Sequence, residues 1–184
     1  MPLDHFGMIA GLYNRIKYVA PAELIEFLGL PFDGLLLDAG GGTGRVSEGL
    51  RPFLKLVVVA DPSRKMLIHA IGKGIAATCT PAENLPFANE SFDRIIIVDA
   101  IHHVDDQRKT MTELLRILTQ GGRLVIIEPD IHKIPIKFIA IGEKILFMQS
   151  HFLTSEKIHK FYSNLNCQVK MLSVGNEIWI SIEK

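Results

Sequence analysis

Seven consecutive residues constrain this chain more than any others: Asp38-Ala39-Gly40-Gly41-Gly42-Thr43-Gly44, placed directly after the apolar run Leu35-Leu36-Leu37. Glycine loses more backbone freedom on ordering than any other residue, so a cluster of this kind needs a compensating reason. A tight turn is one; close approach of the backbone to a ligand is the stronger one. Two phosphate-binding loops are excluded by spacing. A GxxxxGK[ST] loop fails because Gly44 is followed by Arg45-Val46, and GxGxxG fails because its third glycine would fall on Arg45. What stands is Asp-x-Gly-x-Gly-x-Gly on residues 38, 40, 42 and 44.

The surrounding pattern alternates strand and helix. Leu35–Leu37, Leu56–Ala60, Ile75–Cys79, Ile95–Val98 and Leu124–Ile127 are short, nearly continuous apolar runs. Runs of that type belong to parallel strands covered on both faces. Between them, Met111, Leu114, Leu115 and Leu118 repeat at helical spacing, with Asp105 and Asp106 ahead of them and Gly121-Gly122 as a helix stop. Ser63 is placed to cap a helix over Arg64–Ile71, and Pro21 suits the first turn of a helix through Leu28. A further helix is expected from about Thr154 to Leu165. Gln168–Val174 and Glu177–Ile182 flank Gly175-Asn176 and form an expected antiparallel hairpin. The whole is an α/β chain with an open, doubly wound sheet and a mixed edge.

With 184 residues, the chain has room for one domain and little beyond it. Equal numbers of basic and acidic residues, 20 of each, give no global field for nucleic acid, so none is expected as a partner. Cys79 and Cys167 lie far apart in sequence and are expected to be small buried hydrophobes in a reducing compartment. The start, Met-Pro-Leu-Asp-His-Phe, lacks a signal-peptide pattern, which leads to the expectation of a soluble cytoplasmic protein.

Leu37-Asp38-Ala39-Gly40-Gly41-Gly42-Thr43-Gly44 resembles motif I of the class I S-adenosylmethionine-dependent methyltransferases. Further segments follow in register. Asp61 resembles the family's ribose-binding acid, and Ala82-Glu83-Asn84-Leu85-Pro86-Phe87 with Ser91-Phe92-Asp93 resembles the segment of quinone-biosynthesis C-methyltransferases and related small-molecule enzymes. Ala100-Ile101-His102-His103-Val104 and Gly121-Gly122-Arg123-Leu124 resemble the entries to the next helix and strand. The resemblance runs from about residue 9 to 130.

It implies a Rossmann-like, doubly wound, seven-stranded mixed sheet with the last strand antiparallel and helices on both faces. It implies S-adenosyl-L-methionine as cofactor, with Gly40, Gly42 and Gly44 beside its methionine part and Asp38 at the loop base near its amino group. By the same resemblance Asp61 binds ribose, which suits a carboxylate able to accept from two hydroxyls. Pro62 and Met66 would line the adenine, Ala82 and Glu83 would touch its edge, and Asp99 would face the methionine end. Tyr13 would fold over the cofactor, although Asn14 replaces the usual acid after it. Pro81 stands where the family often has an Asp that pairs with the adenine amino group.

Transfer from a sulfonium needs alignment more than acid–base help, and a base only for an acceptor protonated at neutral pH. His103 is the candidate catalytic group; His102 is expected to pack. A metal could be read on His102, His103, Asp105 and Asp106, or on Asp99 with Glu128 and Asp130, but no metal site is expected, since adjacent histidines rarely address one ion and no i, i+4 His pair is present. Ser47 lacks the first glycine of a nucleophile elbow. Residues 1–30 are expected to form a helical cap. The apolar stretch 129–153 is open to three readings: core, a lid over a small apolar or aromatic acceptor, or a dimer or membrane-surface contact through 131–148, the last not favoured. Monomer and homodimer both remain open.

Overall fold

The computed structural model describes residues 7, 8, 10, 11, 14, 15, 18–130, 133 and 167–184. Tyr13, most of the 129–153 stretch and the helix expected over 154–165 lie outside the described residues.

Seven strands form one sheet: β1 (Phe32–Ala39), β2 (Leu54–Asp61), β3 (Ala76–Cys79), β4 (Phe92–Val98), β5 (Leu118–Pro129), β6 (Gln168–Val174) and β7 (Glu177–Glu183). Their order is β3-β2-β1-β4-β5-β7-β6. The first five pair in parallel, and β7 runs antiparallel to both β5 and β6. The α-helices packed on the sheet include α1 (Ala22–Leu28), α2 (Arg45–Leu50), α3 (Arg64–Gly72) and α4 (Gln107–Ile117). This is the expected Rossmann-like architecture.

Alternation along the central strands divides the core into two layers. Leu37, Ile95, Ile97, Leu124 and Ile126 face α4, where Met111, Leu114 and Ile117 are buried. Leu36, Ile96, Val125 and Ile127 face the other side, against Leu24, Leu28, Val46, Leu50, Leu67 and Ala70. Each strand therefore buries both faces, which is why its sequence is apolar almost throughout. The caps form locally: Ser63 Oγ accepts from Met66 N at 3.4 Å, and Asp106, rather than Asp105, accepts from Lys109 N at 2.9 Å.

Two expectations are corrected. Gly121-Gly122 is not a helix stop: α4 ends at Ile117 and β5 begins at Leu118, with both glycines inside the strand. Pairing decides this. Phe92 aligns with Leu118 and Arg94 with Arg123, so β5 bulges at the glycines, where Gly121 N bonds Lys184 O at 2.8 Å and Lys184 N bonds Gly122 O at 3.1 Å. Cys79 is exposed, not buried, because β3 is an edge strand; Cys167 is half-buried.

Candidate functional site

The strand order reverses between β1 and β4, and in open α/β sheets ligands bind beyond the carboxyl ends of the strands at such a point. The glycine loop leaves β1 there. Gly40, Gly42 and Gly44 have φ of +71°, +54° and +69°, conformations that side chains with a Cβ rarely adopt. A Cβ on Gly40 would stand 2.6 Å from Ala100 Cβ, so the loop packs tightly on the turn after β4. A Cβ on Gly42 would have Met66 at 3.5 Å and Asp61 at 3.8 Å as its nearest neighbours among the described residues, which places those two side chains around the loop's middle.

Asp61 ends β2 and is 8% exposed. Its Oδ2 accepts from Gly42 N at 3.0 Å and its Oδ1 from Ser63 N at 2.8 Å. One carboxylate thus joins the glycine loop to the start of α3. Pro62 is exposed beside it, and Met66 is buried on the first turn of α3.

Asp38 lies at the loop base, fully enclosed. Burial pushes its carboxyl up to about 7, against the lowering effect of its hydrogen bond from Ser47 Oγ at 2.7 Å. Ser47, on the buried face of α2, is the partner that the glycine motif itself does not announce. Asp99 follows β4 with φ of +51°, unusual for a residue with a side chain. Burial first, then the charges of Glu128 and Glu177, push its carboxyl up to about 6, while Arg45, 3.9 Å away, acts in the opposite sense. The Arg45 guanidinium also lies 5.0 Å from the centre of the Tyr18 ring. Burial raises the Tyr18 phenol to about 12.

The turn after β4 carries the histidines. His102 is buried and its Nδ1 pairs with Glu128 Oε2. Glu128 Oε1 accepts from Ala100 N and Ile101 N, both at 3.0 Å. His103 is half-buried, its ring centre 3.9 Å from that of His102. Burial, then the neighbouring His102, pull His103 down to about 3. Ala82 is buried, while Glu83 Oε1 accepts from Asp105 N at 2.8 Å and Asp106 N at 3.3 Å, holding the entry to α4.

The family model described as "Methyltransferase domain" matches residues 37–126, from Leu37 near the end of β1 to Ile126 in β5. An uncharacterized methyltransferase of Mycobacterium tuberculosis is 33% identical over 124 residues, covering 66% of this chain and 51% of that protein. The ubiquinone/menaquinone biosynthesis C-methyltransferase UbiE of Coxiella burnetii is 33% identical over 104 residues, covering 50% of this chain and 42% of that protein. Among solved structures, a SAM-dependent methyltransferase of Thermotoga maritima superposes with a TM-score of 0.77 at 23% identity, covering 97% of each chain. The chain carries a methyltransferase domain over residues 37–126, on the fold of the class I S-adenosylmethionine-dependent methyltransferases.

It spans about half the length of the curated relatives named above. Within this methyltransferase domain the structure brings Asp38, Gly40, Gly42, Gly44, Asp61, Met66 and Asp99 to the carboxyl ends of β1, β2 and β4. Among the described residues, Ser47, Tyr18, Arg45 and Glu128 join the site without having been singled out for it. Ser47 sits one turn into the helix that follows the glycines, a position that could have been read from i+3 spacing after Gly44. Glu128 is the lone acid at the end of an apolar strand, Leu124-Val125-Ile126-Ile127-Glu128, and its burial depends on partners 26 to 28 residues away. Among the described residues no helix is long and apolar enough to cross a membrane.

Proposed function

We propose that this domain transfers a methyl group from S-adenosyl-L-methionine to a small acceptor, apolar or aromatic in character. The carrying observation is the Asp61 carboxylate fixed against the glycine loop by the Gly42 amide. A carboxylate offers about four acceptor sites across its two oxygens, enough in kind to serve the Gly42 and Ser63 amides together with the hydroxyls of a ribose. That donor and acceptor set, with three left-handed glycines beside it, suits the cofactor that the family uses.

In this arrangement Gly40, Gly42 and Gly44 admit the methionine part close to backbone, and Asp38 faces its amino group from the loop base. Pro62 and Met66 line the adenine, with Ala82 and Glu83 at its edge; Pro81 offers no side-chain acceptor there. Asp99 stands toward the methionine end and Tyr13 folds over the cofactor. When bound, S-adenosylmethionine supplies a sulfonium methyl group positioned for in-line displacement, so the protein's task is alignment and exclusion of water. His103, the candidate catalytic group, is pulled down to about 3 by burial, so it is neutral but a weak base, suited to accepting a hydrogen bond from the acceptor rather than to holding its proton.

Acceptor recognition falls to the cap of residues 1–30 and to the lid of residues 129–153 within a single domain over 1–184. The apolar side chains Ile131, Ile134, Ile136, Phe138 and Ile139 favour an apolar or aromatic acceptor over a charged one. The absence of net charge speaks against nucleic acid, and a cytoplasmic monomer or homodimer is the setting we favour.

The test is S-adenosylhomocysteine formation across a panel of phenols, quinols, amines and thiols. Turnover with an apolar or aromatic member supports the proposal. Cofactor binding without turnover across the panel would instead make the domain a binding module.

A further inference from the structure

The turn between β4 and α4 has one feature that binding a cofactor does not require. Glu128 is 1% exposed, and its side-chain carboxylate reaches three groups on one stretch of chain: Ala100 N, Ile101 N and His102 Nδ1. A buried carboxylate is costly unless it is paired and hydrogen-bonded, and here three donors converge on it. The turn that it holds begins with Asp99 in a left-handed conformation and ends with His103, whose amide bonds Ala100 O at 3.0 Å. Ala100 is also the residue against which Gly40 packs. One side chain therefore fixes the wall between the glycine loop and the two groups assigned to the methyl-transfer end of the site.

We propose that Glu128 is a positioning residue for the acceptor side: through Ala100, Ile101 and His102 it sets where Asp99 and His103 stand, and the His102 that it anchors keeps the His103 ring in its hydrogen-bond-accepting form. The charge logic follows from contact. The Glu128 carboxylate stabilises positive charge on the His102 ring against the cost of its burial, and charge there disfavours a proton on the second ring, whose centre lies 3.9 Å away. Burial acts on His103 in the same direction. Among the described residues, the other ionisable groups around this turn include Asp99 at the end of β4, Arg45 from α2, Glu177 from β7, Glu83 from the segment before β4, and Asp105 and Asp106 ahead of α4. It is Glu128 that takes the Ala100 and Ile101 amides and pairs with His102 Nδ1. The role assigned to His103 rests on the methyltransferase proposal above; the protonation coupling between the rings does not.

The test follows the imidazole resonances of the full chain by NMR across pH 3–9, in the native protein and in Glu128→Gln and His102→Asn. Asn keeps an N–H donor for Glu128 but cannot carry the charge. We expect His103 in the native protein to remain unprotonated well below pH 6. In His102→Asn its midpoint moves up by at least one pH unit, tenfold or more in proton affinity, and Glu128→Gln moves it the same way. If Glu128→Gln does not fold, His102→Asn alone decides. An unchanged His103 midpoint in a folded His102→Asn overturns the inference, as does a native His103 that titrates above pH 6. S-adenosylhomocysteine binding by the native protein is measured alongside: its absence would count against the methyltransferase proposal and leave the ring coupling as found.

Discussion

The amide of Gly42 donates to the carboxylate of Asp61 at 3.0 Å across a sequence separation of 19 residues. That bond joins the loop after β1 to the end of β2, so the position of the glycines and that of the acid are not independent. A change at either is felt at the other. It also explains why the acid must end its strand: β1 and β2 run in register, with Ala39 opposite Ala60, and Asp61 is the next residue up.

Asp38 makes stability depend on pH. Its carboxyl is pushed from 3.8 to about 7 by burial, so the folded state holds the proton more tightly than the unfolded one. The resulting stabilisation is fully present below about pH 4 and is lost as pH rises to about 7, by on the order of 4 kcal/mol. Asp38→Asn, which can still accept from Ser47, should lack that dependence. Equilibrium urea unfolding at pH 5 and pH 8 checks this: the native chain loses stability relative to the variant on going to pH 8. Asp99 titrates in both proteins and so cancels in the comparison.

The same group should link cofactor binding to protons. An ammonium group near Asp38 favours the carboxylate, so S-adenosylhomocysteine should bind more tightly as pH rises from 5 to 8 and release a proton as it does so. Calorimetry in two buffers of different ionisation enthalpy measures that release. A pH-independent affinity would remove Asp38 from the amino-group site.

Gly40→Ala should be costly for two reasons, its φ of +71° and the 2.6 Å approach of the added Cβ to Ala100 Cβ. We expect a loss of about 1–3 kcal/mol in stability together with weakened cofactor binding. Ala100→Gly in the same chain removes the clash but not the backbone strain, so it should restore part of the loss. Complete restoration would show that strain at Gly40 contributes nothing.

Arg116 organises the segment before β4. Its guanidinium donates to the carbonyls of Leu85 and Phe87, to Asn89 and to Glu113, whose other contact is Leu85 N at 3.2 Å. Arg116→Ala should destabilise by about 1–3 kcal/mol, reduced from the buried-pair range because the site is partly open to solvent. Arg51→Ala, which removes the bond from an exposed arginine to Lys73 O at 2.7 Å, should stay within about 0.5 kcal/mol. Urea midpoints of the two variants make the comparison.

Much of this molecule is legible in its sequence because its central strands are buried on both faces. Leu35–Leu37, Leu56–Ala60, Ile95–Val98 and Leu124–Ile127 announce themselves by continuous apolar character, and each lies within an observed strand. The glycine loop is equally plain, since few structures other than a ligand-approaching turn justify its composition. The start of β5 is not legible: Leu118 continues the helical period of α4, and only pairing with Phe92 turns it into strand. Glu128 is missed for a related reason. A single acid after four apolar residues looks like a strand end entering solvent, and its burial is set by amides contributed by another strand's turn. Ser47 is visible as a helix residue, but its bond to Asp38 depends on how α2 docks on β1.

The most direct test of the central assignment is calorimetric binding of S-adenosylhomocysteine to the native chain and to Asp61→Ala, with circular dichroism confirming the fold of both. Removal of two charge-assisted contacts to ribose should weaken binding by about 2–4 kcal/mol, roughly 30- to 1,000-fold. An affinity equal to that of the native chain, in a folded Asp61→Ala, would contradict the account.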